Sequence, residues 1–188
     1  MNIDSSPHRP LPNLRWMVQK PWRLLAFGFG SGLSSMGPGT VGTLWAWAFG
    51  LIFQSFFGGY SFSDLLLLLS FGFFFGCWAC GKSGEELGIT DHSGMVWDEI
   101  IAFWVVLLLI LPSSWKIQLL GFIVFRFFDI AKPGPIRWID RFFKTWDGQG
   151  VFGKWPMLFR GFGVMIDDLM AAFFTLIVVS VFIKLGIN

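Results

Sequence analysis

Three acid-bearing clusters interrupt an otherwise apolar chain, and their residue types suit cation and phosphate chemistry. They are Asp91-His92 followed by Asp98-Glu99, the run Arg126-x-x-Asp129-x-x-Lys132-Pro133-x-Pro135 with Arg137 and Asp140 beyond it, and Asp167-Asp168 behind Gly161-Phe162-Gly163. Carboxylate oxygens select hard cations such as Mg2+, while arginine and lysine beside them suit phosphate. Asp98 and Glu99, adjacent on a helix, point about 100° apart, so both can line a site without both binding one ion. Arg126, Asp129 and Lys132 share one helix face, and Pro133 and Pro135 stop the helix just after Lys132. Asp167 and Asp168 are expected to open the last helix, where acids also offset the helix dipole. His8 and His92 are too few for a histidine-rich zinc centre, and Cys77-x-x-Cys80 has no second pair to complete one. Together these groups point to Mg2+-assisted phosphoryl chemistry.

A further candidate is glycine-rich: Gly28-Phe29-Gly30-Ser31-Gly32, then Gly37-Pro38-Gly39-Thr40 at the entry to an apolar run. Gly30, Ser31, Gly32 and Thr40 are candidate phosphate contacts, since glycines admit close backbone approach and a helix start offers free N–H groups. The alternative is close helix packing and a turn, and the lysine of a P-loop is absent.

The elements that must carry these groups are apolar. Hydrophobic residues make up 54% of the 188 and charged residues 14%, well below the roughly 25% of a soluble domain. Five apolar stretches stand out: Thr43 to Phe57, Leu65 to Cys80, Ile100 to Leu111, Ile117 to Phe125 and Leu169 to Ile183. Each is shorter than the about 20 helical residues that cross a bilayer, unless charged flanks join it. Those flanks must then face water or the protein interior, which implies a polar pocket at one end of the helices. With a cytoplasmic N-terminus and five crossings, only Lys116 and Lys184 of the 14 basic residues fall outside, as the positive-inside rule requires. Of the 12 acids, only Asp64 falls outside. The fourth stretch leaves open a re-entrant hairpin with the third, turning at Pro112-Ser113-Ser114. The expected fold is all-α: a multi-pass helical membrane protein with short spans and a polar site on the cytoplasmic side. Residues 1–23 form a polar tail or surface helix and 24–188 a single membrane domain. A net charge of +2 gives no reason to expect nucleic acid, and oligomeric state is not legible.

Four segments in order resemble the bacterial phosphatidylglycerophosphatase A family: GFGSGLSSMGPGTVGTL at Gly28 to Leu44, DHSGMVWDE at Asp91 to Glu99, FRFFDIAKPGPIRWIDR at Phe125 to Arg141 and GFGVMIDDLMA at Gly161 to Ala171. The family's polar positions fall on Asp98, Glu99, Arg126, Asp129, Lys132, Asp167 and Asp168. The resemblance implies a Mg2+-dependent phosphatase at the cytoplasmic face of the bacterial inner membrane, acting on phosphatidylglycerophosphate to give phosphatidylglycerol. Residues 142–160, with Lys144, Trp146, Lys154 and Trp155, read as an addition to the family pattern.

On this footing, metal ligands are expected among Glu99, Asp129, Asp167 and Asp168. Arg126 and Lys132 would clamp the phosphate, and the catalytic set is Arg126, Asp129, Lys132 and Asp98, with Asp98 orienting water or a ligand or binding metal itself. A transporter or ion-binding membrane protein using the same inward-facing acids is the contrasting expectation.

Overall fold

A computed structural model describes residues 11–57, 61–145 and 155–186, and among these every regular element is a helix. Two short helices, α1 (Leu14–Val18) and α2 (Pro21–Ala26), lead through a 3-10 turn (Gly28–Leu33) into α3 (Pro38–Phe57). Then come α4 (Phe62–Leu87), α5 (Trp97–Ile110), α6 (Trp115–Ala131), α7 (Pro135–Thr145) and α8 (Pro156–Lys184). Each of the five apolar stretches falls in its own helix: α3, α4, α5, α6 or α8.

Local chemistry sets the boundaries. Ser61 and Asp64 form a capping box at the start of α4, and Gly88 ends it in the left-handed conformation, φ 65°. Ser114 accepts a hydrogen bond from the Ile117 N–H to start α6. Prolines stand at the first position of α3, α7 and α8, where their missing N–H is no loss.

α5 is the axis of the bundle. It packs on α3, α4, α6 and α8, and its Ile100, Phe103 and Val106 are fully buried. At 14 residues, α5 is about 21 Å long. α4 and α8, with 26 and 29 residues, are about 39 and 44 Å long, and both are long and apolar enough to cross a bilayer. Their outer surfaces are apolar: Leu67, Phe71 and Phe74 on α4 and Phe173, Ile177 and Val181 on α8 all stand exposed. A soluble surface helix would carry a polar stripe there, so these faces belong against lipid.

α4 and α8 cross at backbone contact. A Cβ on Gly161 would overlap the Cys77 carbonyl oxygen and come within 2.8 Å of its carbon. Cys77 and Cys80, both buried and unbridged, are thus small packing residues on the face of α4 toward α8.

Three expectations change. α8 begins at Pro156, so Asp167 and Asp168 lie about three turns inside it rather than at its start, and the alternative that they simply offset the helix dipole does not apply. α5 begins at Trp97 rather than at Ile100, where its apolar stretch opens, so Asp98 and Glu99 join its first turn; the Val96 N–H just before it bonds the Ala26 carbonyl. After Pro133 and Pro135 the chain forms α7, a helix not foreseen from the pattern. Of the addition at 142–160, residues 146–154 lie outside the described residues, and so do residues 1–10 of the N-terminal tail.

Candidate active site

Four of the apolar helices and the loop after α4 converge on a common cavity. The first turn of α3 contributes Pro38, Gly39 and Thr40, and the loop after α4 contributes Asp91 and Ser93. The start of α5 gives Asp98 and Glu99, the end of α6 gives Arg126, Asp129 and Ile130 with Lys132 at its cap, and α8 gives Asp167 and Asp168. The cavity holds about 360 Å³. Six carboxylates and two basic side chains line it.

Arg126 is the hub. Its Nη1 donates to Glu99 Oε1 at 3.0 Å and Thr43 Oγ1 at 3.2 Å, and lies 2.6 Å from Asp129 Oδ2. Thr43 in turn donates to the Gly39 carbonyl at 2.8 Å, tying the first turn of α3 to the site. Gly39 leaves room for the Glu99 carboxylate, because a Cβ there would overlap Glu99 Oε1 and fall 2.6 Å from Glu99 Cδ.

Lys132 forms the second node. It caps α6 in the left-handed conformation, φ 41° and ψ 59°, which disfavours side chains by roughly 1 kcal/mol. From there its Nζ donates to Asp167 and, at 2.9 Å, to Asp140 of α7. Lys144, one turn along α7, pairs with Asp140 at 2.8 Å and with the cavity's Asp91 at 2.9 Å. Burial opposes charge on Lys144, but Asp91 and the bond to Asp140 outweigh it and hold its pKa above the ordinary value. Burial likewise opposes charge on Asp140, yet hydrogen bonds from Lys144 and Lys132 prevail and keep its pKa below the ordinary value.

The acids are in excess. Asp98, Asp129, Asp167 and Asp168 are all less than 9% exposed, and Asp98 Oδ1, Glu99 Oε2 and Asp167 Oδ1 are buried without a hydrogen-bond partner among the described residues. Buried carboxylates outnumbering their cations are costly unless a further cation joins them. Oxygens of Glu99, Asp129 and Asp168 lie within 4.8 Å of one another, a group able to hold a metal ion. All-oxygen donors suit Mg2+. The orphaned oxygens and the charge excess fit such an ion.

Asp98, Glu99, Arg126, Asp129, Lys132, Asp167, Asp168 and Thr40 therefore line one cavity, with Asp167 bound to Lys132 and outside the close three-acid group. Gly30, Ser31 and Gly32, expected as phosphate contacts, are not among its lining residues. Ser31 Oγ bonds the Gly28 carbonyl, and a Cβ on Gly32 would overlap the Gly94 carbonyl oxygen. That stretch packs on the 91–94 loop, a contact with a loop rather than the helix packing weighed from the sequence. Asp91, Asp140, Lys144 and Thr43 join the network although they stood outside the expected site. Asp91 and Asp140 belonged to the acidic and basic clusters, but their bonds run between elements and have no signature in spacing.

The fold and site define a class: an all-α membrane protein with a buried acidic group, suited to a divalent metal, facing basic side chains. A family model described as "Phosphatidylglycerophosphatase A" matches residues 24–183, and the chain belongs to that family. Phosphatidylglycerophosphatase A of Escherichia coli (strain K12) is 37% identical over 164 residues, covering 87% of this chain and 84% of the relative. That of Haemophilus influenzae is 41% identical over 159 residues, covering 85% and 86%. A Bacteroides thetaiotaomicron protein whose name proposes a phosphatidylinositol-3-phosphatase is 33% identical over 164 residues, covering 84% and 91%. No solved structure matches the chain. The protein is an enzyme, a hydrolase of phospholipid metabolism.

Proposed function

We propose that the chain hydrolyses the terminal phosphomonoester of phosphatidylglycerophosphate, giving phosphatidylglycerol and inorganic phosphate, in a Mg2+-dependent reaction. The observation that carries this is the cavity itself, where an excess of buried carboxylates faces Arg126 and Lys132 at the polar end of an apolar bundle. The substrate named by the two phosphatidylglycerophosphatase relatives supports the choice of headgroup.

Glu99, Asp129 and Asp168 would hold Mg2+, which supplies neutralisation of phosphate oxygens and a more acidic water. The buried Arg126 Nε has no partner among the described residues and would donate to a phosphate oxygen. Lys132 gives a second donor by yielding one of its two carboxylates. Asp98 Oδ1, buried and unpartnered, orients the attacking water and takes its proton. The water oxygen bonds to phosphorus as the phosphorus–oxygen bond to glycerol breaks, and the proton taken up by Asp98 passes to the leaving oxygen, giving the alcohol and inorganic phosphate. Asp167 positions Lys132.

In this reading residues 24–188 form one membrane domain, and the helices cross a bacterial inner membrane with the cavity at the cytoplasmic face. The distribution of basic residues supports that orientation. The acyl chains stay between helices while the headgroup enters from the cytoplasmic side.

Phosphate release by the purified protein in lipid tests the proposal, comparing phosphatidylglycerophosphate, phosphatidic acid and phosphatidylinositol 3-phosphate with and without Mg2+. Mg2+-dependent release, fastest from phosphatidylglycerophosphate, is expected. Asp129→Asn and Asp168→Asn should each lower turnover by about 10²-fold or more. Folded protein releasing phosphate from none of the three lipids overturns the reaction. Wild-type rates in both variants overturn the metal assignment.

A further inference from the structure

The eleven residues of α7 present several different surfaces. Ile136 is fully buried, and Phe143 packs on Phe159 and Phe162 of α8. Asp140 and Lys144 reach Lys132 and Asp91 at the cavity. Trp138 and Phe142, one turn apart, stack at 6.2 Å yet stand 72% and 51% exposed. Arg137 and Arg141, also one turn apart, are exposed, and neither has an acidic partner within ion-pair distance among the described residues.

At about 100° per residue, Trp138 and Phe142 occupy an arc next to the buried one, and Arg137 and Arg141 an arc next to the ion-paired one. The outward half of α7 is therefore aromatic on one side and basic on the other. A helix of this composition lies in a membrane interface, with rings at the headgroup level and arginines among phosphates. Ring contacts make the aromatic side continuous with the lipid-facing helices: Phe142 meets Phe159 at 6.4 Å, and Phe143 meets Phe162, which reaches Phe73 on α4 at 5.7 Å. An acidic protein would answer the arginines but leave Trp138 and Phe142 in water.

We propose that α7 is an in-plane helix that docks on an anionic lipid surface. Trp138 and Phe142 enter the boundary between headgroups and acyl chains, and Arg137 and Arg141 bind lipid phosphates there. The docking stands without the proposed reaction. Its consequence for that reaction, that seating α7 fixes the cavity rim through Asp140 and Lys144, rests on it.

The tests use the full chain in vesicles and require no hydrolysis. Trp138→Cys, Phe142→Cys, Arg137→Cys and Arg141→Cys are each treated with a charged maleimide on both sides of the membrane, where the buried Cys77 and Cys80 stay silent. The arginine positions should label about tenfold faster or more than the aromatic ones, as depth in the interface requires. Equal labelling at all four overturns the docking. The second arm measures association of spin-labelled phosphatidylserine relative to phosphatidylcholine. Arg137→Gln with Arg141→Gln should lower the preference for phosphatidylserine by at least about twofold. An unchanged preference overturns the choice of an anionic surface. Absence of phosphate release from the wild type would refute the reaction and leave both arms standing.

Discussion

Replacing Gly39 by alanine should separate the site from the fold. The new Cβ would lie 2.6 Å from Glu99 Cδ and 2.7 Å from Oε2, and would overlap Oε1, whereas ordinary contact begins at 3.4 Å. Relief requires the Glu99 carboxylate to shift by roughly 1.5 Å, which disturbs the 3.0 Å bond that it accepts from Arg126 Nη1. Misplacement on that scale lowers kcat/KM by about 10²-fold, close to 2.7 kcal/mol of transition-state stabilisation. Alanine also favours the helix by up to about 1 kcal/mol over glycine, which works against the clash, so the thermal midpoint should move little. The assay is lipid phosphate release alongside a melting curve of the same preparation. A second arm combines Gly39→Ala with Glu99→Asp, which shortens the displaced side chain, and the two losses should be non-additive. Gly39→Ala with kcat/KM within about threefold of wild type would refute the reasoning, because Glu99 would then have room the geometry denies it.

Two further outcomes follow from contacts outside the acidic group. Since the Asp140 pKa is lower in the folded chain than its unfolded value of about 3.9, its ion pairs contribute fully above that pH and are lost as pH falls through the folded value. The stability gap between wild type and Asp140→Asn, followed by melting temperature, should be level near neutrality and shrink on acidification below about pH 4; a widening gap contradicts the assignment. Gly161→Ala forces α4 and α8 apart at the Cys77 carbonyl, an overpacking worth about 1–3 kcal/mol, and should lower the melting temperature by roughly 5 °C. An unchanged midpoint would mean that the crossing is looser than described.

The sequence exposed the site more readily than the helices that build it. Charged residues flanking apolar runs are conspicuous because lipid excludes them, so Asp98, Glu99, Arg126, Asp129, Lys132, Asp167 and Asp168 could be singled out before their cavity was seen. Helix ends were harder. α8 runs through Gly161 and Gly163, which look like a break but are sites of close approach, Gly161 to Cys77 and Gly163 to Phe143. Prolines at 133 and 135 signalled an ending correctly, but Pro135 also starts α7, and a local pattern does not separate those roles. Gly30-Ser31-Gly32 resembled a phosphate cradle because backbone approaching backbone and backbone approaching phosphate call for the same residue. The ties among Asp91, Asp140 and Lys144 depend on how α7 packs, a property of the assembled bundle.

Lys132 has a consequence for how the sequence is expected to drift. Its φ of 41° is a position glycine would occupy without penalty, and Lys132→Gly would release that strain while deleting the ammonium group beside Asp167 and Asp140. The strain is smaller than the cost of leaving the buried Asp167 without its ammonium partner, so folding and chemistry both retain lysine there. Among descendants of such a chain, a glycine at this position is therefore expected only together with a neutral residue at 167, and the pair of changes would mark lineages in which the bundle persists after the reaction has been abandoned.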